Sequence, residues 1–285
     1  MNIVKIMGGL GNQMFQYALY YKFMREGIET KIDLSYYTEI NSHNGYEIQS
    51  IFMRTAEQAT QEECKKLAFY KTTKWNRLLI RIIRRKSFYS NIYTRESGYD
   101  QNILKLRDTY IEGYFQSERY FEDIKEEIKK LYDFGENLPD NVIAWKQQIE
   151  KDNSVSIHIR RGDYSVTGQR MLCDTDYYKN AIEYIKRKTK APIFYIFSND
   201  IEWCKKKFVG DEFRFVTGNT GQQSYWDMFL MSKCNHNIIA DSSFSWWGAW
   251  LNNNVSKIVM APEKWEAGNN NFTDIIPLDW IQIKE

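Results

Sequence analysis

The chain has 285 residues, enough to bury a sizeable core in one large or two moderate domains. Hydrophobic residues make up 43% of it and charged residues 27%, a globular balance that excludes disordered and fibrous classes. A net charge of only +2 argues against a broad nucleic-acid-binding surface, and Cys64, Cys173, Cys204 and Cys234 show no CxxC spacing that would indicate a zinc site or a disulfide framework.

The opening residues, MNIVKIMGG, read as a strand at once. They carry no charged-then-apolar leader, and the chain has no run of ~18 apolar residues, so a reducing cytoplasm is the expected home. Residues 2–7 are expected as a strand, 8–11 as a tight glycine turn, and 12–25 as a helix with Phe15, Ala18, Leu19 and Phe23 at apolar positions. Strand, glycine turn and helix together let backbone N–H groups approach a phosphate or a sugar, although close strand-to-helix packing selects the same glycines. Asn12 and Gln13 add amide groups able to bond sugar hydroxyls. A strand at 29–34, a polar acceptor-side loop at 35–45 and a helix at 60–72 follow. Residues 75–86, WNRLLIRIIRRK, form a basic amphipathic pattern. Its ordinary reading is an apolar stripe on the core with a charged outer face; the sharper one is contact with an anionic membrane surface. A strand at 109–115 and an amphipathic helix from Ser117 to Tyr132, capped by Ser117 or Glu118, complete the first half. FGENLPD at 134–140 breaks the pattern, so the domain boundary is placed at 140/141, with a helix at 141–151 bridging the halves.

The second half alternates strands (155–160, 193–198, 213–216, 237–240, 257–260) with helices (177–188, 201–208, 224–233, 246–252), the pattern of a parallel, doubly wound sheet. In such sheets ligands bind beyond the carboxyl ends of the strands. His158, Arg160, Arg161, Ser198, Asn199, Asp200, Ser242, Ser243 and Ser245 all fall at that edge. In VSIHIRRGDY, period-2 alternation puts His158 and Arg160 on one side of a strand, about 7 Å apart at ~3.3 Å per residue. Adjacent arginines are often a solvated surface pair. Beside an imidazole, at a strand end, they suit an anion with two charge centres, and a diphosphate fits best. Asp200 can cap the next helix or accept hydrogen bonds from guanine or ribose. The hydroxyls of ADSSFS, at a helix start, are a seat for phosphate oxygens. Phe244 can stack on a base, while Trp246, Trp247 and Trp250 read as core. Asp174 and Asp176 form a DTD directly before a helix, where N-capping explains both; two local carboxylates are few for magnesium or manganese. Together these residues suggest sugar transfer from a nucleoside diphosphate, with Arg160 holding the departing β-phosphate bidentately and His158 fixing phosphate or ribose.

GGLGNQMFQYA, HIRRGD, FSND and DSSFSWWGAW occur in this order across nearly the whole chain. In that combination the sequence resembles the α-1,2-fucosyltransferases of glycosyltransferase family 11. The resemblance implies an α/β, GT-B-like fold of two Rossmann-like lobes with a cleft between them: an acceptor-side lobe at 1–140 and a GDP-sugar-binding lobe at 141–285. It implies inverting transfer of L-fucose from GDP-β-L-fucose to the 2-hydroxyl of a galactoside, with no metal and no cofactor beyond GDP-fucose as co-substrate. Carried over by position, Arg160, His158 and Asp163 are the catalytic expectation, with Asp163 orienting an arginine. Arg161, Gly9, Gly11, Asn12, Gln13, Ser198, Asn199, Asp200, Ser242, Ser243, Phe244 and Ser245 are the donor-binding expectation. The general base stays open between an acidic residue of the first lobe, Asp163 and His158. The expected partners are GDP-fucose and a galactose-containing glycan, with a lipid-linked acceptor and peripheral contact at the inner membrane face through 75–86 as the extended form, and no nucleic acid. The alternatives are a metal-dependent glycosyltransferase using Asp174 and Asp176, and a noncatalytic nucleotide- or RNA-binding module.

Overall fold

The computed structural model describes residues 1–39, 44–68, 91–95, 98–161, 171–265 and 274–284. The expected basic helix at 75–86 lies outside the described residues. Two compact units divide between Asp133 and Phe134. Sequence patterning places this division at 140/141. The Phe134 ring packs on Tyr225, Trp226 and Phe229 at 5.5 to 6.3 Å, which draws the glycine- and proline-containing stretch into the second unit.

In the first unit, β1 (Asn2–Lys5), β2 (Thr30–Asp33), β3 (Ile92–Arg95) and β4 (Tyr110–Gly113) form a parallel sheet in the order β2-β1-β4-β3. The helix Leu10–Arg25 follows β1 and buries Met14, Phe15, Ala18, Leu19 and Phe23 completely, the stripe its spacing predicts. It starts two residues early because Gly8, at φ 79°, absorbs the whole reversal. At the far end of β4, a Cβ on Gly113 would lie 2.1 Å from the Arg95 carbonyl oxygen, so only glycine lets β3 and β4 approach this closely.

Two expected elements differ. The loop at 35–45 opens with a short helix, Ser35–Glu39, because the Asp33 carboxylate accepts both the Ser35 N–H and its hydroxyl at 2.9 Å. The helix expected at 117–132 is broken into 3-10 turns at Glu118–Tyr120 and Glu122–Ile124 and a helix at Lys125–Leu131. Phe121 leaves helical geometry (φ −142°, ψ 17°) to bury its ring beside Phe15. The helix expected at 60–72 is described over Gln61–Ala68, where Thr60 and Glu63 exchange backbone-to-side-chain hydrogen bonds as a capping box.

In the second unit, β5 (Ser154–Ile159), β6 (Ile193–Ser198), β7 (Phe213–Phe215), β8 (His236–Ile238), β9 (Val259–Pro262) and β10 (Ile281–Ile283) form a parallel sheet in the order β10-β9-β8-β5-β6-β7. Counted within the unit from β7, that order is 3-2-1-4-5-6, the dinucleotide-binding arrangement, in which the winding reverses between the first and fourth strands. Here those strands are β5 and β8. Alternation along the strands fills two layers. Val155, Ile157, Ile159, Phe194 and Ile196 pack on the helix Tyr177–Lys188, while Tyr195 and Phe197 pack with the helices Asp140–Lys151 and Tyr225–Lys233. Trp246, Trp247 and Trp250 are at most 2% exposed, core residues as expected.

Candidate active site

The reversal point of the second sheet is built from three strand ends. β5 delivers His158 and, one residue past Ile159, Arg160; both side chains are half-buried. After β8 the chain turns into the helix Ser243–Trp250, and Phe244 from its first turn lies beside His158 with ring centroids 5.8 Å apart. The two stretches picked out in sequence, about 85 residues apart in the chain, therefore meet at one edge, as the β5–β8 pairing requires. Two tyrosines not singled out from sequence hold this edge. The Tyr178 hydroxyl donates to the His158 carbonyl at 2.8 Å, and the Tyr177 hydroxyl to the Ile239 carbonyl at 2.7 Å. Both stand at the start of the helix Tyr177–Lys188, so its first turn clamps β5 to the segment leaving β8.

Arg161 and Asp200 pair with each other. The guanidinium donates from Nη1 to Asp200 Oδ2 at 2.6 Å and lies 4.9 Å above the Trp203 ring, while the Arg161 backbone N–H donates to Asn199 Oδ1 at 3.0 Å. Asp200 Oδ1 accepts the Trp203 N–H, capping the helix Ile201–Lys207, and Ser198 Oγ accepts the Asp200 N–H. The Arg161 guanidinium beside Asp200 holds its carboxyl below the usual carboxylate range. Ser198, Asn199 and Asp200 thus act first as the mould for the turn into which Arg161 locks, leaving Arg160 as the arginine next to the reversal point.

The serine cluster divides by role. Ser245 is fully buried; its Oγ accepts the Ala240 N–H at 3.2 Å and donates to the Ser242 carbonyl at 3.3 Å. Both bonding functions of that hydroxyl close the turn, which departs from the donor-binding expectation for Ser245. Ser242 is 3% exposed and supplies no side-chain cap. Ser243 and Phe244, half-buried on the first turn, are the members of the cluster at the accessible face.

In the first unit the glycine signature has a different use from the one expected. Gln13 is fully buried. Its Nε2 donates to the carbonyls of Gly8 and Gly45 at 3.1 and 2.8 Å, and its Oε1 accepts the Glu47 N–H at 2.8 Å. The amide is a tie between the glycine turn and segment 45–47, not an open sugar contact. Gln16, which sequence reading missed, does the same on the other side, accepting from the Met7 N–H and donating to the Gly113 carbonyl. Asn12 is half-buried and its Oδ1 accepts from Gln116 at 2.7 Å. Gly9 is the N-cap of the long helix and Gly11 its second residue. The Gln13 tie also fixes the Glu47 backbone close to the start of that helix.

Asp163 lies outside the described residues. Asp174 and Asp176 are both exposed; the helix Tyr177–Lys188 is not capped by the Asp176 side chain, and Thr175 Oγ accepts the Tyr177 N–H instead, at 3.3 Å. Among the described residues no group of three or more His, Cys, Asp or Glu side chains could hold a metal ion. Nor is any helix among them long and apolar enough to cross a membrane.

With this geometry in place, comparison with known proteins is decisive about class. The profile of Glycosyl transferase family 11 matches residues 1–284. The chain belongs to that family. It is 34% identical over 295 residues to an α-1,2-colitosyltransferase of Escherichia coli, covering 99% of each protein. Over a 166-residue stretch, 53% of this chain and 46% of the other, it is 27% identical to human galactoside α-(1,2)-fucosyltransferase 1. Among solved structures, fucosyltransferase NodZ from Bradyrhizobium aligns over 94% of this chain and 96% of its own, with a TM-score of 0.49 and 11% identity. This glycosyltransferase therefore has its family's sequence signatures seated on two parallel α/β sheets.

Proposed function

We propose that this glycosyltransferase moves L-fucose from GDP-β-L-fucose to the 2-hydroxyl of a galactoside, inverting the anomeric centre in a single displacement without a metal ion. The observation that carries the reading is the meeting of His158, two residues before Arg160 at the end of β5, with Phe244 in the first turn of the helix Ser243–Trp250 at the reversal point of a dinucleotide-type sheet. As the sugar leaves, negative charge builds on the β-phosphate while the sugar becomes cation-like. The Arg160 guanidinium, charged at any working pH, meets two phosphate oxygens with its fork. The backbone N–H groups of the first turn, at the positive end of the helix, meet the others. Phe244 offers a face to the ring of the nucleotide. Asp200, with two of roughly four acceptor positions taken by Arg161 and Trp203, keeps capacity for guanine N1–H and its amino group.

A second donor is favoured by one specific observation, the whole-length likeness to a colitosyltransferase. Colitose is L-fucose lacking the 3-hydroxyl, so the two donors test a single contact. Purified protein is incubated with GDP-fucose or GDP-colitose and a panel of β-galactosides, with and without EDTA, and the product linkage is read by NMR. An α-1,2 product formed equally in EDTA supports the reading, and the ratio of kcat/KM values identifies the donor. Transfer that EDTA abolishes and manganese restores, or no transfer from either donor, refutes it.

A further inference from the structure

Residues of the first unit alone line a cavity of about 510 Å³, a size usual for small-molecule sites. Tyr17, Tyr20 and Tyr21 come from the second half of the long helix, so the cavity lies toward the amino edge of the sheet, whereas the Gly8–Gly11 turn stands at the carboxyl edge. Arg54 comes from the segment after a short helix, Ile48–Phe52, and Glu127 and Lys130 from the helix Lys125–Leu131. These walls are tied together. The Tyr17 hydroxyl donates to the Thr55 carbonyl at 3.0 Å, and the Tyr21 hydroxyl to Glu127 Oε2 at 3.1 Å. Arg54 donates from Nε to the Leu131 carbonyl at 3.0 Å and from Nη2 to the Lys130 carbonyl at 2.9 Å, closing the end of that helix. Two large apolar side chains line the same cavity while standing in solvent. Met24 is 46% exposed, and Met53 is 81% exposed on a left-handed backbone (φ 54°) that few residues with a side chain adopt.

We propose that this cavity is a saccharide-binding site that takes a short run of neutral sugar rings, a hold on a glycan made within the first unit and filled without a nucleotide. It goes beyond the donor and the linkage read above and depends on neither. A sugar ring has an apolar face and a rim of hydroxyls, and the lining answers both. Tyr17 and Tyr20, almost fully buried with ring centroids 5.1 Å apart, make an apolar floor. Tyr21 is half-buried and, with the adaptable side chains of Met24 and Met53, covers C–H faces. For the hydroxyls, Arg54 has spent two of its five N–H groups on carbonyls, and the Lys130 side chain is exposed. The Arg25 guanidinium beside Glu127 holds its carboxyl below the usual range, so this wall offers an ionised acceptor at working pH. An anionic ligand is poorly served. Glu127 offsets one of the two cations, and Glu122, Asp123 and Glu126 are exposed on the same stretch of chain.

The two exposed methionines are local reporters. Protein carrying ¹³C-methyl methionine is titrated with lactose in the absence of any nucleotide sugar, with Met24→Leu and Met53→Leu assigning the two signals. Both methyl resonances are expected to move and to saturate with a Kd of about 1–10 mM. Tyr21→Ala, which removes the exposed ring, is expected to weaken that binding at least about tenfold. Thr55→Trp, a bulky side chain at an exposed lining position, is expected to abolish it, and it keeps the test sharp if Tyr21→Ala does not fold. Methyl signals that stay still throughout the lactose titration overturn the proposal, as does binding of wild-type strength in a folded Tyr21→Ala or Thr55→Trp protein. Signals that move with phosphatidylglycerol vesicles and not with lactose also overturn it, since they mark a lipid surface contact instead. No transfer is measured, so failure of the donor reading shows only in the transfer assay and leaves this result untouched.

Discussion

Ser243 and Ser245 are two residues apart on one helical turn, one half-buried and the other fully buried, and the proposed reading gives them opposite roles that a pair of alanine substitutions separates. Ser245→Ala removes the acceptor of the Ala240 N–H, which sits on a residue 1% exposed and is left without that bond. The Ser242 carbonyl keeps its bond from the Trp246 N–H at 3.0 Å, so one buried donor, not two groups, is orphaned. An orphaned buried N–H costs about 1–3 kcal/mol. For a domain of this size that lowers Tm by roughly 2–4 °C per kcal/mol, about 4–8 °C in all at the middle of the range. Ser243→Ala, at a half-buried hydroxyl, should leave stability within about 0.5 kcal/mol of wild type. Loss of a hydrogen bond to a charged phosphate should instead weaken GDP binding by roughly 10- to 100-fold. Differential scanning fluorimetry and calorimetric titration of GDP read the two effects independently. If Ser245→Ala melts with wild type but binds GDP poorly, the turn-closing role given to Ser245 is wrong.

Arg160→Ala should lower kcat by about two to three orders of magnitude with the melting temperature retained, and Arg160→Lys should recover little of it because an ammonium cannot reproduce the fork; a lysine variant near wild-type rate contradicts bidentate binding. Asp227 accepts from Asn219 at 2.8 Å, and burial pushes its carboxyl up to about 7. Its folded pKa is above the unfolded one, so the native state holds an extra proton between pH 4 and 7, and stability declines as pH rises across that window. Urea midpoints for Asp227→Asn and wild type should therefore agree near pH 4 and diverge by pH 7.5, the variant being the more stable; parallel curves would show that Asp227 titrates normally.

Local pattern carried much of the second unit. Period 2 in VSIHIR and the apolar stripe of YYKNAIEYIKRK each correspond to an element whose packing is local to one layer. The strands β3 and β10, four and three residues long and half-buried at sheet edges, are too short for any periodicity to announce them. From sequence a site role can be proposed only where chemistry follows from residue type, as in the expectation for Arg160. Such roles are illegible where a side chain serves a backbone group far along the chain. Gln16 reaches a carbonyl 97 residues away and Tyr177 one 62 away. Asn237, fully buried, joins Ser156 of β5 to Asn252 through bonds of 2.7 and 2.8 Å, a polar weld beneath the reversal point that composition cannot reveal. Gln13 was misjudged for the same reason: its amide is a sugar ligand by type and a loop tie by location.

The seat of the diphosphate is tested most directly by a crystal structure with GDP bound. The account predicts both phosphates at the β5–β8 reversal, with oxygens within about 3 Å of the Arg160 guanidinium and of the N–H groups opening the helix Ser243–Trp250. Phosphates found at the Gly8–Gly11 turn beside Glu47, with Arg160 unengaged, would contradict it.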